Sequence, residues 1–484
     1  MRAFSDIRKL VIVPVIFSFS LVPAAFAQSW VQEDSPTTNS LNDVWVSASV
    51  NQTPPPAVSL KMFGVGNNGT IVTSTDGIAW TIQASGIITK LNAVWGSAVN
   101  NVYAVGQNNV ILRYNGTAWS TVNSGGAVML YDVWGHVSGS TIQIYAVGEN
   151  GRILSSNNGT TWSSLTRGTR NLRGIWGSAQ NDIFVVGDSG TIFHYDGGTW
   201  ETQSSGVSTN LNSVWGTSPD SVFAVGDSGV VLWYDGESWL RLRDPTTITT
   251  SSKLTAVWGT SYCNVYAVGE LLDSGRGVVY FFDGSSWSSQ ADSIVMDTEG
   301  APIAPLRGIH GASLRNIFAV GDSLGADSLI LSYDADEGEE LPLVCAKLPA
   351  DEEDDVLIDT TISAAFNAVM DESTITSSTF TVSSASGQVA GTVTYSDNTA
   401  TFTPSSTLAK STTYTVTLSK GIEDVLGFPI STTDDYTWSF TTGNDSYDAS
   451  SSGGCFLSTA RKKSGGKSWF GIIKNSFLKK LGRK

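Results

Sequence analysis

The sequence predicts an all-β protein with two folded parts, and three observations support that prediction. A unit of about 40 to 50 residues recurs seven times between residues 28 and 342. After residue 343, short runs alternate apolar and polar residues with a period of two, which is typical of strands buried on one face. The chain has 49 glycines and 16 tryptophans but only 15% charged residues, and this composition favours short strands joined by tight turns over helices.

Each repeated unit opens with the motif Leu-x-x-(Val/Ile)-Trp-Gly. Its seven copies begin at Leu41, Leu91, Leu130, Leu172, Leu211, Leu254 and Leu306. The first copy has Val46 in place of the glycine, and the last has His310 in place of the tryptophan. A second apolar run, (Phe/Tyr)-(Ala/Val/Gly)-Val-Gly, follows in every copy and ends at Gly66, Gly106, Gly148, Gly187, Gly226, Gly269 and Gly321.

Six of the units continue with an Asp-Gly or Asn-Gly pair. The pairs are Asp76-Gly77, Asn115-Gly116, Asn158-Gly159, Asp196-Gly197, Asp235-Gly236 and Asp283-Gly284. Because these dipeptides tolerate positive φ, they predict type I′ hairpin turns between a third and a fourth strand. A tryptophan in the fourth strand closes each of these units, at Trp80, Trp119, Trp162, Trp200, Trp239 and Trp287.

Four strands per unit at this period predict the blades of a β-propeller, and seven starts predict seven blades. The seventh copy ends near Tyr333 without a closing tryptophan strand. The segment from Trp30 to Pro36 is similar to that from Trp80 to Gly86. We therefore expect the N-terminus to supply the missing outermost strand, which would close the ring and remove an exposed sheet edge. The predicted first domain is a seven-bladed β-propeller over residues 28–342.

These repeats resemble the propellers of the Asp-box and photosystem II assembly-factor-like families. The segment Ser74–Trp80 is similar to an Asp-box, and Asn157–Trp162 is similar to a weaker one. The resemblance extends over most of the repeat array. It implies a propeller fold but no particular activity, because Asp-boxes are structural turns found in sialidases and in non-enzymes alike.

Arginines are concentrated on one predicted face of the ring. If the Leu-x-x-(Val/Ile)-Trp-Gly strand is innermost, the loops before it and the loops after the second strand share a face. Seven arginines of an otherwise acidic chain fall there: Arg167, Arg170, Arg173, Arg241, Arg243, Arg276 and Arg307. Guanidinium groups at a channel mouth hold carboxylates or phosphates through paired hydrogen bonds, so these residues are the candidate ligand-binding site. The alternative is that they are separate, solvated loop charges.

The repeated tryptophans are predicted to form inter-blade core rather than a stacking platform for sugars, because each blade has one at the same place. Trp233, which stands where other units have Arg113 and His194, is expected to be exposed. The three histidines, His136, His194 and His310, have neither a nucleophile motif beside them nor metal-ligand spacing. We therefore assign no catalytic residue, no metal ligand and no cofactor.

The second domain, residues 343–442, is predicted to be a β-sandwich. Its predicted strands are Thr361–Phe366, Thr379–Val382, Gly391–Tyr395, Ala400–Thr403, Thr413–Leu418 and Tyr436–Thr441, with a further first strand expected within residues 341–348. The segments Phe366–Asp371, Tyr414–Leu418 and Trp438–Gly443 resemble the Ig-like domain of bacterial surface-layer proteins of the SbsA type. The resemblance implies an Ig-like β-sandwich that serves as an extracellular spacer or binding module without an active site.

The acidic runs Asp334–Glu340 and Asp351–Asp355 flank the expected first strand of this domain. Carboxylates at this density can bind a cation such as Ca²⁺, but neither run has the spaced ligands of a calcium loop. We therefore interpret both runs as solvated hinge segments.

Residues 1–27 predict a secretory signal peptide. A basic start is followed by an apolar run from Leu10 to about Pro23, and Ala25-Phe26-Ala27 ends it, which places cleavage between Ala27 and Gln28. The apolar run is short for a membrane span. The protein is therefore expected to leave the cytoplasm.

Three cysteines remain after this segment. Cys263 and Cys345 are able to pair in an oxidising compartment, although two distant cysteines give no signal of connectivity. Cys455 lies in Gly453–Ala460, which resembles the Gly-Gly-Cys-Phe-Ile-Ala-Thr-Ala box at the C-termini of some secreted bacterial proteins. The resemblance implies that Cys455 is a processing or attachment residue at the cell surface; the alternative is a free thiol on a flexible tail.

The C-terminal segment, residues 443–484, is a polar linker followed by the Cys box and a basic tail. From Arg461 onward the tail has nine Lys and Arg and no acidic residue, and its apolar residues recur at a spacing of three to four. This pattern is typical of a cationic amphipathic helix that contacts an anionic membrane surface. Docking to the acidic body and removal during sorting are the alternatives.

The net charge and the motifs together limit the classes of function that the sequence allows. A formal net charge of −16 argues against nucleic acid as a partner, because phosphate binding needs a basic face. The sequence predicts a secreted or surface-displayed protein that binds an unknown protein or glycan without catalysis. Two alternatives stay open: a sialidase-like hydrolase of acidic glycans, and an architectural component of an envelope layer.

Overall fold

The computed structural model describes residues 29–51, 57–123, 127–242, 247–291, 294–296, 302–323, 327–334 and 341–444. The predicted signal peptide, Arg243, Cys455 and the basic tail lie outside these residues. Within them, no helix has the length and apolar character needed to cross a membrane.

The first part of the chain forms seven consecutive sheets, preceded by the short strand β1 (Ser29–Gln32). Sheet 1 contains β2 (Leu41–Asn51), β3 (Ala57–Gly66), β4 (Ile71–Ser74) and β5 (Thr81–Gln83). Sheet 2 contains β6 (Leu91–Ala98), β7 (Asn101–Gly106), β8 (Val110–Tyr114) and β9 (Trp119–Asn123). Sheet 3 contains β10 (Leu130–Ser138), β11 (Thr141–Gly148), β12 (Arg152–Ser156) and β13 (Ser163–Thr166).

Sheets 4 to 6 repeat the same order of four antiparallel strands. Sheet 4 contains β14 (Leu172–Ala179), β15 (Asp182–Gly187), β16 (Thr191–Tyr195) and β17 (Trp200–Gln203). Sheet 5 contains β18 (Leu211–Ser218), β19 (Ser221–Gly226), β20 (Val231–Tyr234) and β21 (Trp239–Arg241). Sheet 6 contains β22 (Ser252–Ser261), β23 (Asn264–Leu271), β24 (Arg276–Phe282) and β25 (Trp287–Ser289).

Sheet 7 is built from both ends of the repeat array. It contains β26 (Ile294–Val295), β27 (Leu306–Gly311), β28 (Ile317–Ser323) and β29 (Ser328–Asp334), and β1 pairs antiparallel with β29. The predicted contribution of the N-terminus is therefore confirmed. The expectation that β1 is outermost is wrong, because β26 pairs with it in parallel on the far side. Trp30 is fully buried between Tyr266 and Tyr333, with ring centroids 5.7 and 5.3 Å away.

The first strands of neighbouring sheets lie side by side, from β2 through β6, β10, β14, β18 and β22 to β27, and β27 also contacts β2. The Trp-Gly pair explains this packing. A Cβ added to Gly96 would lie 2.7 Å from the Trp45 ring of the preceding sheet. The same relationship joins Trp95 to Gly135, Trp134 to Gly177, Trp176 to Gly216, Trp215 to Gly259 and Trp258 to Gly311. Glycine is required at these positions because each one accommodates a neighbouring indole.

The Asp-Gly and Asn-Gly turns are not the type I′ turns that the sequence predicted. Type I′ needs positive φ at both central residues, and here only the glycines have it, as at Gly77 with φ +85°. The preceding side chain organises the turn instead: Asp76 Oδ1 accepts the N–H groups of Ile78 and Ala79 at 3.0 and 2.8 Å. Asn115, Asn158, Asp196, Asp235 and Asp283 make the same pair of bonds. These are Asx turns.

Short 3-10 helices follow the second strands of sheets 1 to 5, at Asn67–Gly69, Gln107–Asn109, Glu149–Gly151, Asp188–Gly190 and Asp227–Gly229; another is Glu372–Thr374. In each of the first five, the middle residue has positive φ, for example Asn150 at +56°. Asn adopts this conformation more readily than most residues.

The second part of the chain is a two-sheet sandwich. One sheet has the order β30-β32-β36-β35 and the other β31-β38-β37-β33-β34. The strands are β30 (Val344–Leu348), β31 (Glu353–Val356), β32 (Ile362–Phe366), β33 (Phe380–Ser384), β34 (Gly387–Gln388), β35 (Gly391–Ser396), β36 (Thr399–Pro404), β37 (Thr413–Leu418) and β38 (Tyr436–Thr442). Phe366, Phe380, Phe402 and Phe440 lie in its core.

The run Asp351–Asp355 is not a hinge. Most of it belongs to β31, which pairs in parallel with β38, and Asp351 Oδ1 accepts the N–H of Ser439 at 3.1 Å. That bond holds the pKa of Asp351 below its ordinary value. Acidic residues are tolerated in β31 because their side chains are exposed to solvent. The strand lies at a sheet edge, where charged residues discourage pairing with the edge of another sheet.

Candidate functional site

The seven sheets have two different ends, defined by their connections. The 3-10 turns after the second strands and the loops before the first strands lie together, and we call this end the turn face. Backbone bonds join the two kinds of segment: Asn67 N–H donates to Ser40 O, and Asp188 N–H donates to Asn171 O, each at 3.0 Å. The opposite end, formed by the hairpins between first and second strands, is the hairpin face.

The Ig-like domain is docked on the hairpin face at sheets 6 and 7. A disulfide joins Cys263, in the hairpin of sheet 6, to Cys345 in β30, which decides the pairing that the sequence left open. Thr260 donates to Asn367 O at 2.5 Å and accepts from Asn398 Nδ2 at 2.7 Å through its carbonyl. The docking leaves the turn face uncovered by this domain.

A second set of contacts comes from the hairpin of sheet 7. The Arg315 guanidinium lies 3.7 Å from the centroid of the Phe428 ring, and Leu314 is buried in the core cluster of the Ig-like domain. A cation above an aromatic face and a buried leucine both favour a fixed arrangement. The two domains therefore share a packed interface as well as a covalent bond.

Two of the seven candidate arginines lie around the turn Glu149–Gly151 on the turn face. Arg167 N–H donates to Gly151 O at 2.8 Å, and Arg170 O accepts the N–H of Gly151 at 2.7 Å. The Nε of Arg167 is buried without a hydrogen-bond partner among the described residues, whereas Arg170 is exposed.

Arg152, which the sequence analysis missed, joins this group because it starts β12 directly after the turn. Its Nη1 donates to Ser164 Oγ at 2.6 Å. Within the described chain, none of Arg152, Arg167 and Arg170 has a carboxylate at ion-pair distance. A signal was present: the residue after the 3-10 turn is Thr or Val in sheets 1, 2, 4 and 5 and is cationic only here. We call these three residues the arginine cluster.

Arg173 and Arg307 have carboxylate partners. Arg173 pairs with Asp188 and lies 5.4 Å from the Tyr131 ring centroid. Arg307 pairs with Asp322 and, at 3.2 Å, with Glu270. Burial acts to lower the pKa of Arg307, but these two acids outweigh it and hold that pKa above its ordinary value. Both guanidinium groups are thus largely neutralised within the protein.

The remaining candidates are spread along the same face. Arg241 ends β21 and Arg276 starts β24, and both are exposed. Arg243 lies outside the described residues. The structure therefore brings Arg167 and Arg170 together with Arg152, and it leaves Arg241 and Arg276 in sheets 5 and 6.

Polar side chains at the first strands link neighbouring sheets. Asp43 Oδ2 accepts the N–H of Val94 at 2.9 Å, and Asp132 Oδ2 accepts the N–H of Ile175 at 2.8 Å. Burial raises the pKa of Asp132 to about 7, although the bonds that its carboxyl accepts from the backbone N–H groups of Ile175 and Val133 act to lower it. Burial, with the charge of Asp132, also raises the pKa of Asp43. Because each carboxyl accepts a bond from the next sheet, both residues have a clear structural role.

Two further sequence expectations concern side chains of the repeats. Trp233 was expected to be exposed, which is wrong: it is 5% exposed and lies in a core cluster with Leu242 and Ile248 of the loop that follows β21. His194 stacks on Phe184 and its Nε2 lies 2.6 Å from Asp182 Oδ1. Within the described residues, no three His, Cys, Asp or Glu side chains are grouped to hold a metal ion.

Comparison with known proteins gives a family for one domain and similar folds for the other part. The bacterial Ig-like domain family (Big_5) matches residues 339–442. No curated protein sequence matches the chain. The chain thus contains a bacterial Ig-like domain at its C-terminal side.

Three solved structures illustrate the similarity. YCF48 bound to D1 peptide is 18% identical, with a TM-score of 0.48 over 65% of this chain and 100% of that one. YCF48 from Cyanidioschyzon merolae is 16% identical, with a TM-score of 0.48 over 63% of this chain and 99% of that one. The WD40 propeller domain of Doa1 is 13% identical, with a TM-score of 0.48 over 64% of this chain and 97% of that one.

Proposed function

We propose that this protein is an extracellular, non-enzymatic binding protein. Its seven sheets form a closed seven-bladed β-propeller, its turn face recognises a protein or a glycan, and its Ig-like domain is the spacer. The observation that carries the proposal is the docking of the Ig-like domain on the hairpin face through Cys263–Cys345 and Thr260. This arrangement leaves the turn face free for a partner.

The arginine cluster gives the proposed recognition its chemistry. Arg152, Arg167 and Arg170 are grouped around one turn and have no carboxylate partner in the described chain. Guanidinium groups bind carboxylates, sulfates and phosphates through paired hydrogen bonds. An acidic group on a glycan or peptide is therefore the expected ligand of this part of the face.

The compartment is proposed on two grounds. The N-terminal segment has the pattern of a signal peptide, and disulfides such as Cys263–Cys345 persist in oxidising surroundings. Intact mass measurement of the fractionated protein tests both the compartment and the tail. Cleavage before Gln28 with a surface-bound product altered near Cys455 supports display at the cell surface; a soluble product that retains Lys484 contradicts sorting.

A binding experiment tests the recognition face. The mature protein is applied to arrays of acidic glycans and acidic peptides, and the best ligand is titrated against the variant Arg167→Ala/Arg170→Ala. We expect at least a tenfold loss of affinity, since about 1.4 kcal/mol corresponds to a factor of ten. Lys410→Ala, an exposed cation on the Ig-like domain, is the matched control. Equal binding by all three proteins would contradict the site.

Two measurements separate this proposal from its alternatives. Turnover of chromogenic sialosides by the purified protein would favour a hydrolase of acidic glycans. Concentration-dependent assembly of the ectodomain into large oligomers would favour an architectural role in an envelope layer. The proposed binding protein shows neither behaviour.

A further inference from the structure

The outer edge of sheet 1 is open. Its last strand, β5 (Thr81–Gln83), pairs with β4 on one side, and within the described chain no strand covers the other side. An uncovered edge presents backbone N–H and C=O groups that are able to pair with another strand.

Three isoleucines make this edge apolar. Ile78, in the turn before β5, is 68% exposed, Ile82 in β5 is 59% exposed, and Ile88 in the loop after β5 is 87% exposed. The segment from residue 77 to residue 89 contains no charged residue. Proteins usually protect sheet edges with lysine, proline or bulges, so an apolar and uncharged edge indicates a docking surface.

The fourth strands of other sheets lack this combination. Glu201 lies in β17 and Arg241 in β21, and the exposed residues of β9 and β25 are Ser and Thr. In β13 the exposed apolar residue is Leu165, at 40%, close to Arg167. The open apolar edge of sheet 1 is therefore distinct from the edges of its neighbours.

Sheet 7 shows what covers such an edge in this protein. There the fourth strand is β1, and β26 pairs with it in parallel, with Trp30 opposite Ile294 and Val31 opposite Val295. Ile294 and Met296 pack against the core cluster that contains Trp30. β1 and β5 are both the fourth strands of their sheets, and Trp30 corresponds to Trp80. The outer edge of β5 is therefore equivalent to the edge of β1 that β26 covers, but within the described chain no strand pairs with it.

A depression continues the edge at the C-terminal end of β5. It has a volume of about 390 Å³ and is lined by Ile82, Ile88 and the polar residues Asn39, Asn68 and Gln83. A strand that ran parallel to β5 would reach this depression with its C-terminal end. The edge and the depression together form one surface, which we call the sheet 1 edge.

We propose that the sheet 1 edge binds an extended segment of a partner polypeptide as a fifth strand. The segment runs parallel to β5 and has apolar, β-branched residues at its centre, as Ile294-Val295 has on sheet 7. Backbone bonds to β5 supply affinity, and contacts with Ile82 and Ile88 supply selectivity for apolar side chains. This site is separate from the arginine cluster and does not depend on it.

The chain supplies its own probe. A peptide of residues 290–298 with a photo-crosslinking group in place of Met296 is titrated into the mature full-length protein. We expect saturable binding, at least tenfold weaker in Ile82→Lys, which puts a charge on the edge. Leu165→Lys on β13 is the matched control and should bind as the parent does. Ile82→Thr keeps a β-branched residue and should give an intermediate loss.

Crosslink mapping by mass spectrometry gives the decisive outcomes. Crosslinks within residues 78–88 support the proposal. Crosslinks to residues 29–33 would overturn it, since the peptide would then only be replacing β26 on sheet 7. Dimerisation in sedimentation velocity that Ile82→Lys abolishes would also overturn it, because the occupant of the edge would be a second copy of the chain. Neither result would affect the proposed recognition through the arginine cluster, which lies in sheet 3.

Discussion

His310 Nδ1 accepts a hydrogen bond from the backbone N–H of Val46 at 3.2 Å. These are the two residues at which the repeated Trp-Gly pair is missing, and they meet at the junction of sheet 7 with sheet 1. At the other junctions an indole packs on a glycine, whereas here the smaller imidazole leaves room for the Val46 side chain. The two departures from the repeat therefore compensate each other.

This relationship predicts a coupled pair of substitutions. His310→Trp should destabilise the protein by about 1–3 kcal/mol, because the indole would meet the Val46 side chain. Adding Val46→Gly should recover part of that loss by restoring the pair found at the other junctions. Urea unfolding of both single variants and of the double variant measures the coupling. Additive effects of the two substitutions would contradict the proposed contact.

The same histidine predicts a loss of stability in acid. Burial lowers the pKa of His310 to about 4, so the folded protein keeps the imidazole neutral while the unfolded chain protonates near pH 6.5. The unfolded state then binds more protons, and stability falls as the pH drops from about 6.5 to about 4, by at most about 3 kcal/mol. His310→Gln lacks this titration. Its unfolding free energy, compared with the parent at pH 7 and pH 4.5, should therefore fall less on acidification; equal losses would refute the assignment.

The raised pKa of Asp132 predicts the opposite trend over nearly the same pH range. Its pKa is raised to about 7, so the folded state holds a proton that the unfolded state releases near pH 4. Stability therefore falls as the pH rises from about 4 to about 7, by at most about 4 kcal/mol. Asp132→Asn cannot ionise, so the stability of this variant relative to the parent should increase over that range. Parallel pH profiles of the two proteins would show that Asp132 does not titrate in this way.

The burial of Trp30 predicts how much the N-terminal strand contributes to the stability of the folded protein. Its side chain is fully buried against Tyr266 and Tyr333. Trp30→Ala should cost about 3–5 kcal/mol, the usual range for a buried tryptophan. Thermal unfolding gives the comparison, and Gln32→Ala on the same strand is a control for loss of a partly exposed side chain. A loss below about 1 kcal/mol would mean that sheet 7 does not need this residue.

The disulfide between Cys263 and Cys345 is expected to stabilise the folded protein as well. Cys263 and Cys345 are separated by 82 residues, and closing a loop of that length stabilises the folded state by about 4.5 kcal/mol on the chain-entropy account. The double variant Cys263→Ser/Cys345→Ser should lose stability of that order yet keep the domains in contact through Thr260 and Arg315. Hydrogen exchange at residues 260–264 checks the second point: full exchange there would indicate that the interface depends on the covalent bond.

The repeat made most of the strands predictable, because its apolar positions and turn residues recur at fixed places. Tertiary contacts of single residues were not predictable in this way. Trp233 occupies a variable position on its strand, and it is buried in a core cluster that includes Leu242 and Ile248 of the following loop. The prediction of a hinge at Asp351–Asp355 was wrong for a related reason. A strand at a sheet edge can contain several charged residues, and its pairing with β38 is not visible in the local sequence.

The six candidate arginines within the described residues lie toward the turn face, but the pairing of Arg173 and Arg307 with carboxylates was not anticipated. Arg173 and Asp188 are 15 residues apart, and so are Arg307 and Asp322. Asn212 and Asp227 show the same spacing in sheet 5. A constant separation across units is visible in the sequence and would have identified these arginines as structural. In the arginine cluster only Arg167 has an acidic residue 15 positions later, Asp182, and that carboxylate pairs with His194 instead.

The construction of sheet 7 affects how the protein is made. Glu33 and its hydrogen-bond partner Ser332 are 299 residues apart, so the ribosome produces one side of this sheet first and the other side last. Until β29 emerges, a nascent chain lacks the antiparallel partner of β1 and leaves the Trp30 side chain without the Tyr333 side of its pocket. A chain that stops early therefore retains an exposed aromatic strand at its beginning. Such a strand would distinguish incomplete copies from full-length ones, in which β26 and β29 flank β1.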